Sequence, residues 1–425
     1  MTQYHHETVF TWGATPMKFG AGALDEIGFD LGQFGADRVL IVTDPGVNAL
    51  GIPERIREAA AREGIDAHVY DQVHIEPTDR SLLEAVEYAK DGRWDAFVAV
   101  GGGSAIDTAK AVNLLTCYPA DLFDYINKPI GKGLAPPGPL KPLIAVPTTA
   151  GTGAETTPAC IADLLDQKVK SGISHARLRP NLAVIDPLVT LTMPPAVTAA
   201  SGFDVLCHAL ESYTARSFSS QPRHTPESRV PYCGANPISD VWCERALTLL
   251  GRSFRRAYLN GDDLEARTDM MLAATFAGMG FGNAGVHLPH ACSYPIAGRV
   301  RDYVPADYPP DEPLVPHGQS VCVTAPAAFR FTYATAPERH RRAADLLDPH
   351  GASRVEPGER LPSVLVDLMR DLDVPNGTAA LGYTEADTPE LVSGALRQHR
   401  LLRGSPRTAD AAALENIFRA SLRNW

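Results

Sequence analysis

No run of about 18 uncharged apolar residues occurs in the chain, so nothing in it reads as a membrane-spanning helix. Cysteine is sparse: Cys117, Cys160, Cys207, Cys233, Cys243, Cys292 and Cys322 are scattered, odd in number and never spaced as CxxC. That excludes a zinc ribbon and a disulfide framework and suits a reducing compartment. Basic charge is also short. The 39 Lys and Arg against 50 Asp and Glu leave a formal charge of −11, which argues against a nucleic-acid binder or a polybasic membrane-surface patch. The start, MTQYHHETVF, has no basic region followed by an apolar stretch, and none of the Arg- and Ser-rich character of a transit peptide. A cytoplasmic protein with no nucleic-acid or membrane partner is the expectation. The glycine turn after the strand DAFVAV is not GxGxxG, and HExxH does not occur, which argues against the ordinary Rossmann fingerprint and zincin proteolysis.

What is present reads as a two-domain globular protein. At 425 residues, with 44% hydrophobic and 21% charged residues, the chain exceeds one average domain. Its first 195 or so residues alternate β-rich runs (RVLIVTD, DAHVYD, DAFVAVGGGS, PLIAVPTT, NLAVIDP) with helical stretches such as Pro53 to Glu63 and SLLEAVEYAKDG. This alternation predicts a mainly parallel sheet covered on both faces. After Met193-Pro194-Pro195 the pattern turns helical, in SGFDVLCHALESYTA, DVWCERALTLLGRSFRRAYL, DLEARTDMMLAATFAGMGF and SVCVTAPAAFRF, and no convincing strand follows. The expected division is 1–195, an α/β dinucleotide-binding domain, and 196–425, an all-helical domain. Two Pro- and Arg-rich stretches, 217–237 and 301–316, read as surface loops.

Gly101-Gly102-Gly103-Ser104 ends one strand and opens a helix. Glycines there let backbone approach a ligand, and the helix N-terminus suits a pyrophosphate. A plain strand-to-helix turn with Ser104 as N-cap has the same residues. Asp44 stands at a strand's carboxyl end, where a carboxylate can take the ribose diol and repel a 2′-phosphate, favouring NAD; it also suits turn initiation before Pro45. Pro147 to Thr157, PTTAGTGAETT, offers hydroxyls and glycines for phosphate and ribose. In the helical half, Asp204 and His208 lie four apart on one helix face. His287 and His290 form HxxH, and His317 follows in a Pro-His-Gly turn. One carboxylate with three imidazoles suits Fe(II) or Zn(II). Spacing alone does not choose between His287 and His290.

GGGSAIDTAKA, PLIAVPTTAGTGAETT, FDVLCHALESY, GFGNAGVHLPHACSYPIAG and VPHGQSV occur in that order, and together they resemble the iron-containing (group III) alcohol dehydrogenases over nearly the whole chain. The resemblance implies a dinucleotide-binding α/β domain followed by an all-α metal-binding domain, the layout shared with dehydroquinate synthase. It implies metal ligands at Asp204, His208, His290 and His317. It implies nicotinamide dinucleotide contacts at Asp44, Gly101, Gly102, Gly103, Ser104, Thr148, Thr149 and Lys170, and a homo-oligomer, a dimer. Tyr294 stands where many members have a second histidine used in proton handling, so Tyr294 and His287 are the candidates for that step. Within the family the chain is most similar to the hydroxyacid-oxoacid transhydrogenase branch, through SGFDVLCHALESYTA, GANPISDVWCERAL and GNAGVHLPHACSYPIAG. That branch implies oxidation of 4-hydroxybutyrate to succinate semialdehyde, coupled to reduction of 2-oxoglutarate to 2-hydroxyglutarate on a retained nicotinamide. The alternatives are an ordinary NAD-dependent dehydrogenase, which needs exchanging cofactor, and a dehydroquinate synthase-type lyase, which gives no net NADH.

Overall fold

The computed structural model describes residues 5–167, 169–229, 231–308, 310, 313–351 and 355–425. The first four residues of the N-terminal stretch, and positions 230, 309, 311 and 312 of the two expected loops, lie outside the described residues. Two compact units form: Ala14–Thr192, and the segment through Gly13 together with Met193–Trp425.

The first unit carries a six-stranded, all-parallel sheet. Its strands are β1 (Met17–Phe19), β2 (Arg38–Val42), β3 (Asp66–Tyr70), β4 (Ala96–Gly101), β5 (Leu143–Pro147) and β8 (Leu182–Ile185), in the order β1-β8-β5-β4-β2-β3. A separate antiparallel hairpin is made by β6 (Ala159–Leu164) and β7 (Val169–Ser174). Every residue of β4 and β5 is buried, as expected for central parallel strands covered on both faces. Successive side chains alternate between two cores. Val39, Ile41, Val98, Val100, Ile144 and Val146 meet α1 (Ile27–Gln33) and α3 (Ile52–Arg62) through Ile27, Leu31 and Ile56. Leu40, Val42, Phe97, Ala99 and Leu143 meet α4 (Asp79–Ala89) and α5 (Gly103–Cys117) through Ala85, Ala105, Ile106 and Ala109. Two short helices, α2 (Pro45–Ala49) and α6 (Leu122–Tyr125), complete the unit. All five expected strands form. Strand β1 was not expected, being three residues on a sheet edge, and neither was the β6–β7 hairpin.

The second unit is helical, and its described residues add only isolated bridges. Its long members are α7 (Pro195–Thr214), α8 (Pro237–Leu259) and α9 (Leu264–Ala284). Then follow α10 (Leu288–Ala297), α11 (His317–Cys322), α12 (Ala325–Thr332), α13 (Pro337–Leu347), α14 (Arg360–Asp371), α15 (Thr388–Leu396), α16 (His399–Gly404) and α17 (Ala411–Ala420). The stretch SVCVTAPAAFRF, expected as one helix, is divided between α11 and α12; Pro326 sits in the first turn of α12, where its missing N–H costs nothing. Two glycines set the packing on α7. A Cβ at Gly318 would collide with the Ala200 carbonyl oxygen, and one at Gly202 would enter the Phe254 ring. No helix among the described residues is long and apolar enough to cross a membrane.

The N-terminal arm departs from the expected 1–195 division. The Asn283 side chain brackets Gly13, accepting from its N–H and donating to its carbonyl, both at 2.9 Å, and Glu7 N donates to Gln221 O at 2.9 Å. These bonds give the arm a helical partner.

Candidate active site

In the α/β unit the strand order reverses between β2 and β4: from β2 the chain steps outward to β3, then returns to lay β4 on the other side. Ligands in open parallel sheets gather beyond the strands' carboxyl ends at such a switch point. Asp44 follows β2, and Gly101 ends β4. They are neighbours, because a Cβ on Gly101 would stand 3.3 Å from Asp44 Oδ2. Gly101 also has φ +148°, a backbone region that favours glycine. Asp44 is the N-cap of α2, its Oδ1 accepting from Val47 N at 2.9 Å, which leaves Oδ2 as the second acceptor.

The hydroxyl loop after β5 closes on the glycines. Thr148 N donates to Gly101 O at 3.0 Å. A Cβ on Gly102 would lie 3.4 Å from Thr149 Oγ1, and one on Gly103 would lie 2.7 Å from Thr152 Cγ2. The loop is tied down by Lys110, a fully buried lysine on α5, whose Nζ donates to Ala154 O (2.8 Å), Ala159 O (2.6 Å) and Thr157 Oγ1 (3.2 Å). Asp107 faces Lys110 at 3.2 Å and accepts from Ile161 N at 2.9 Å; burial pushes its carboxyl up. Ser104 Oγ accepts from Glu76 N at 3.2 Å. Lys170 is buried with its ammonium 2.5 Å from Glu76 and 3.0 Å from Asp163. Burial opposes its charge, but the two carboxylates prevail and raise it. Lys170 therefore reaches this region through Glu76, which sequence reading missed. The signal for Glu76 is conformational, φ +56° on a non-glycine residue.

In the helical unit, one carboxylate oxygen is the hub. Asp204 Oδ1 lies 3.5 Å from His208 Nε2, 3.5 Å from His290 Nε2 and 3.8 Å from His317 Nε2. Asp204, His290 and His317 each offer a ligand atom within 4.8 Å of the others; His208, one turn along α7, lies outside that trio and meets it through Asp204 Oδ1. His290 comes from the first turn of α10, and His317 opens α11. Asp204, His208 and His290 are buried; His317 is about a quarter exposed, at 24% of its side chain. His208 is sandwiched against Phe281, ring centroids 3.9 Å apart, and His290, at 4.7 Å.

Asp204 Oδ1, His290 Nε2 and His208 Nδ1 are buried with no hydrogen-bond partner. Each such orphan costs on the order of 1–3 kcal/mol. Two of these atoms face each other, which a shared cation would repay, and an N₃O donor set suits Fe(II) or Zn(II). Burial would raise Asp204, but the surrounding imidazoles hold it well below the usual carboxylate range. Burial lowers His208 to about 3. Burial also acts against the His290 imidazolium, yet Glu211 and Asp204 push it up to about 9.

The structure does not bring His287 to this cluster. It is completely buried, its Nδ1 accepts from Leu288 N at 2.7 Å, and its Nε2 meets Thr214 Oγ1 at 3.1 Å. Burial holds it down to about 4. The expectation that it lines the pocket and passes a proton is corrected: both ring nitrogens are occupied in the interior. Tyr294 lies one turn after His290, with its ring centroid 6.3 Å from that of His317. Sequence reading also missed Glu211, whose Oε2 lies 2.5 Å from His290 Nδ1. Its spacing within DVLCHALE, seven after Asp204 and three after His208, places it on the same face of α7.

Residues 14–187 match the family described as iron-containing alcohol dehydrogenase, and residues 198–422 match the C-terminal part of the Fe-containing alcohol dehydrogenase family. The mitochondrial hydroxyacid-oxoacid transhydrogenase of Bos taurus is 49% identical over 97% of this chain and 90% of its own length. The Homo sapiens counterpart is 48% identical over the same shares. A crystal structure of 1,3-propanediol oxidoreductase superposes with a TM-score of 0.84 at 28% identity, covering 97% of this chain and 100% of its own. The cytoplasmic expectation is overturned by these relatives, which are mitochondrial.

Proposed function

Because the chain belongs to the iron-containing alcohol dehydrogenase family, we propose that it is a hydroxyacid-oxoacid transhydrogenase. On this reading hydride passes from a hydroxyacid such as 4-hydroxybutyrate to a retained NAD, and from there to an oxoacid such as 2-oxoglutarate. The observation that carries the metal part of this reading is the meeting of Asp204, His208, His290 and His317 around one buried carboxylate oxygen. The identity to the Bos taurus transhydrogenase carries the substrate class. The sheet-end constellation of Asp44, Gly101, Gly102, Gly103, Ser104, Thr148 and Thr149, joined by Lys170, supports a dinucleotide there.

When bound, a divalent iron or zinc ion polarises the substrate's alcohol or carbonyl oxygen, and the nicotinamide accepts and returns the hydride. The four ligands' task is to hold that charge in a largely buried setting, where it acts more strongly than in water. Asp204 supplies the negative charge that keeps three imidazoles together. Gly318 lets His317 approach α7 closely enough to join them. Tyr294 is the side chain we assign to accept and return the hydroxyl proton, since it shares the His290 face of α10 and borders His317. Asp44, through Oδ2, is assigned the ribose diol, which disfavours a 2′-phosphate. Glycines 102 and 103 let the hydroxyl loop pack against the start of α5, and that helix N-terminus is assigned the pyrophosphate.

The test is turnover without added nucleotide. Purified protein given 4-hydroxybutyrate deuterated at the carbinol carbon, with 2-oxoglutarate, should produce succinate semialdehyde and 2-hydroxyglutarate carrying the deuterium at C2. Turnover that appears only on adding NAD indicates an exchanging dehydrogenase instead. No hydride transfer under either condition overturns the reading.

A further inference from the structure

Glu211 is fully buried on α7 and is met by two backbone N–H groups and one imidazole nitrogen. Its Oε1 accepts from the backbone N–H of His287 at 2.7 Å and of His290 at 3.2 Å, and its Oε2 lies 2.5 Å from His290 Nδ1. The two amides belong to the N-terminal turn of α10, where backbone donors have no partner within the helix. One carboxylate thus caps α10 and grips the ring of the histidine that the helix carries.

We propose that Glu211 is a positioning residue that fixes His290 in the Nδ1–H form, leaving the Nε2 lone pair toward Asp204 free to bind the metal. This inference rests on the metal reading above. It follows from counting donors and acceptors. Three donors converge on Glu211, so the group there must accept on both oxygens, which an ionised carboxylate does. Glutamine has the same shape but one oxygen. If that oxygen faces the two amides, its NH₂ donates to Nδ1. The ring proton then moves to Nε2 and points at Asp204, where it blocks the ion. If the amide is flipped, the ring is held correctly but the α10 amides face an NH₂ and lose their acceptor. Aspartate keeps both acceptor oxygens but is one methylene short. Acceptor chemistry therefore matters more than shape, and Glu211→Asp should bind metal better than Glu211→Gln. Partners of this kind behind a metal-bound histidine are worth roughly 10–100-fold in metal affinity.

The experiment is cobalt(II) titration of metal-stripped wild type, E211Q and E211D by competition with a chelator. The visible absorption bands of the bound ion are recorded alongside, together with the melting temperature of each metal-free form. Expected is a loss of about 10–100-fold in E211Q with shifted bands, and a smaller loss in E211D. Wild-type affinity and unchanged bands in E211Q overturn the proposal. Should E211Q fail to fold, ¹⁵N-histidine NMR of the zinc-loaded wild type decides: the proposal requires a proton on His290 Nδ1, and an unprotonated Nδ1 contradicts it. A wild type that takes up no cobalt refutes the metal reading instead, so the two failures are separable.

Discussion

The two candidate binding regions, one in each unit, are built on opposite principles. At the dinucleotide end, polar groups largely satisfy one another: Thr148 N–H on the Gly101 carbonyl, Glu76 N–H on Ser104, and Lys170 between two carboxylates. At the metal end, a buried carboxylate oxygen faces three imidazoles, and Asp204 Oδ1, His290 Nε2 and His208 Nδ1 have no hydrogen bond. The first arrangement is stable as it stands and offers a ligand backbone and hydroxyls beyond the carboxyl ends of central strands. The second leaves buried polar atoms without hydrogen bonds, a cost that a shared cation would offset. A substitution in the first should weaken an affinity by degrees, whereas one in the second should remove a function outright.

The largest predicted effect tests that contrast directly. Asp204→Asn keeps the shape but removes the charge. It should abolish metal binding and lower kcat by on the order of 10³-fold, the several kcal/mol that such an ion supplies, while NADH binding measured by fluorescence stays within about twofold. Preserved turnover would break the comparison. Next is Gly318→Ala. Its methyl meets the Ala200 carbonyl, so calorimetry should show a loss of roughly 1–3 kcal/mol of stability, with weaker metal uptake as His317 is pushed back. A smaller effect belongs to the dinucleotide end. Asp44→Asn can still cap α2 but has lost its charge, so NAD affinity should fall about tenfold, the scale of one charge-assisted hydrogen bond, and discrimination against NADP should narrow.

The smallest concerns the N-terminal arm. Backbone donation from His224, with Val9, Thr8 and Arg229, holds Glu7 down at about 2. A depressed carboxylate contributes stability that is complete above its ordinary value near 4.5 and is lost as pH falls toward 2. The melting-temperature gap between wild type and Glu7→Gln should stay constant above about pH 4.5 and close below it. A gap independent of pH would show that shape, not charge, holds the arm.

What was legible in the sequence follows the same division. Gly101 to Ser104 and Thr148 to Thr157 carry their chemistry in contiguous residues at strand ends, so glycines and hydroxyls can be read locally. Asp204 and His208 share a helix face by spacing. His290 and His317 could be attached to them only through family resemblance, because the closeness of α10 and α11 to α7 depends on Gly318 and on packing no local pattern reports. His287 was misjudged for the same reason: three residues before His290 it looks equivalent, but the fold turns it into the interior onto Thr214. Glu211 and Lys110 were passed over because a charged residue on a helix reads as solvated until its partners are known. The strand pattern of β2, β4 and β5 was readable from runs of Val, Ile and Ala, whereas β1 is too short to register and the arm's attachment through Asn283 is wholly tertiary.

The central claim is that four side chains of the helical unit share one cation. Anomalous diffraction from crystals of the active protein, collected across the iron and zinc edges, tests it most directly. The account predicts a single strong peak at roughly 2 Å from Asp204, His208, His290 and His317. Active crystals with no peak there, or with the ion bound elsewhere, would contradict it.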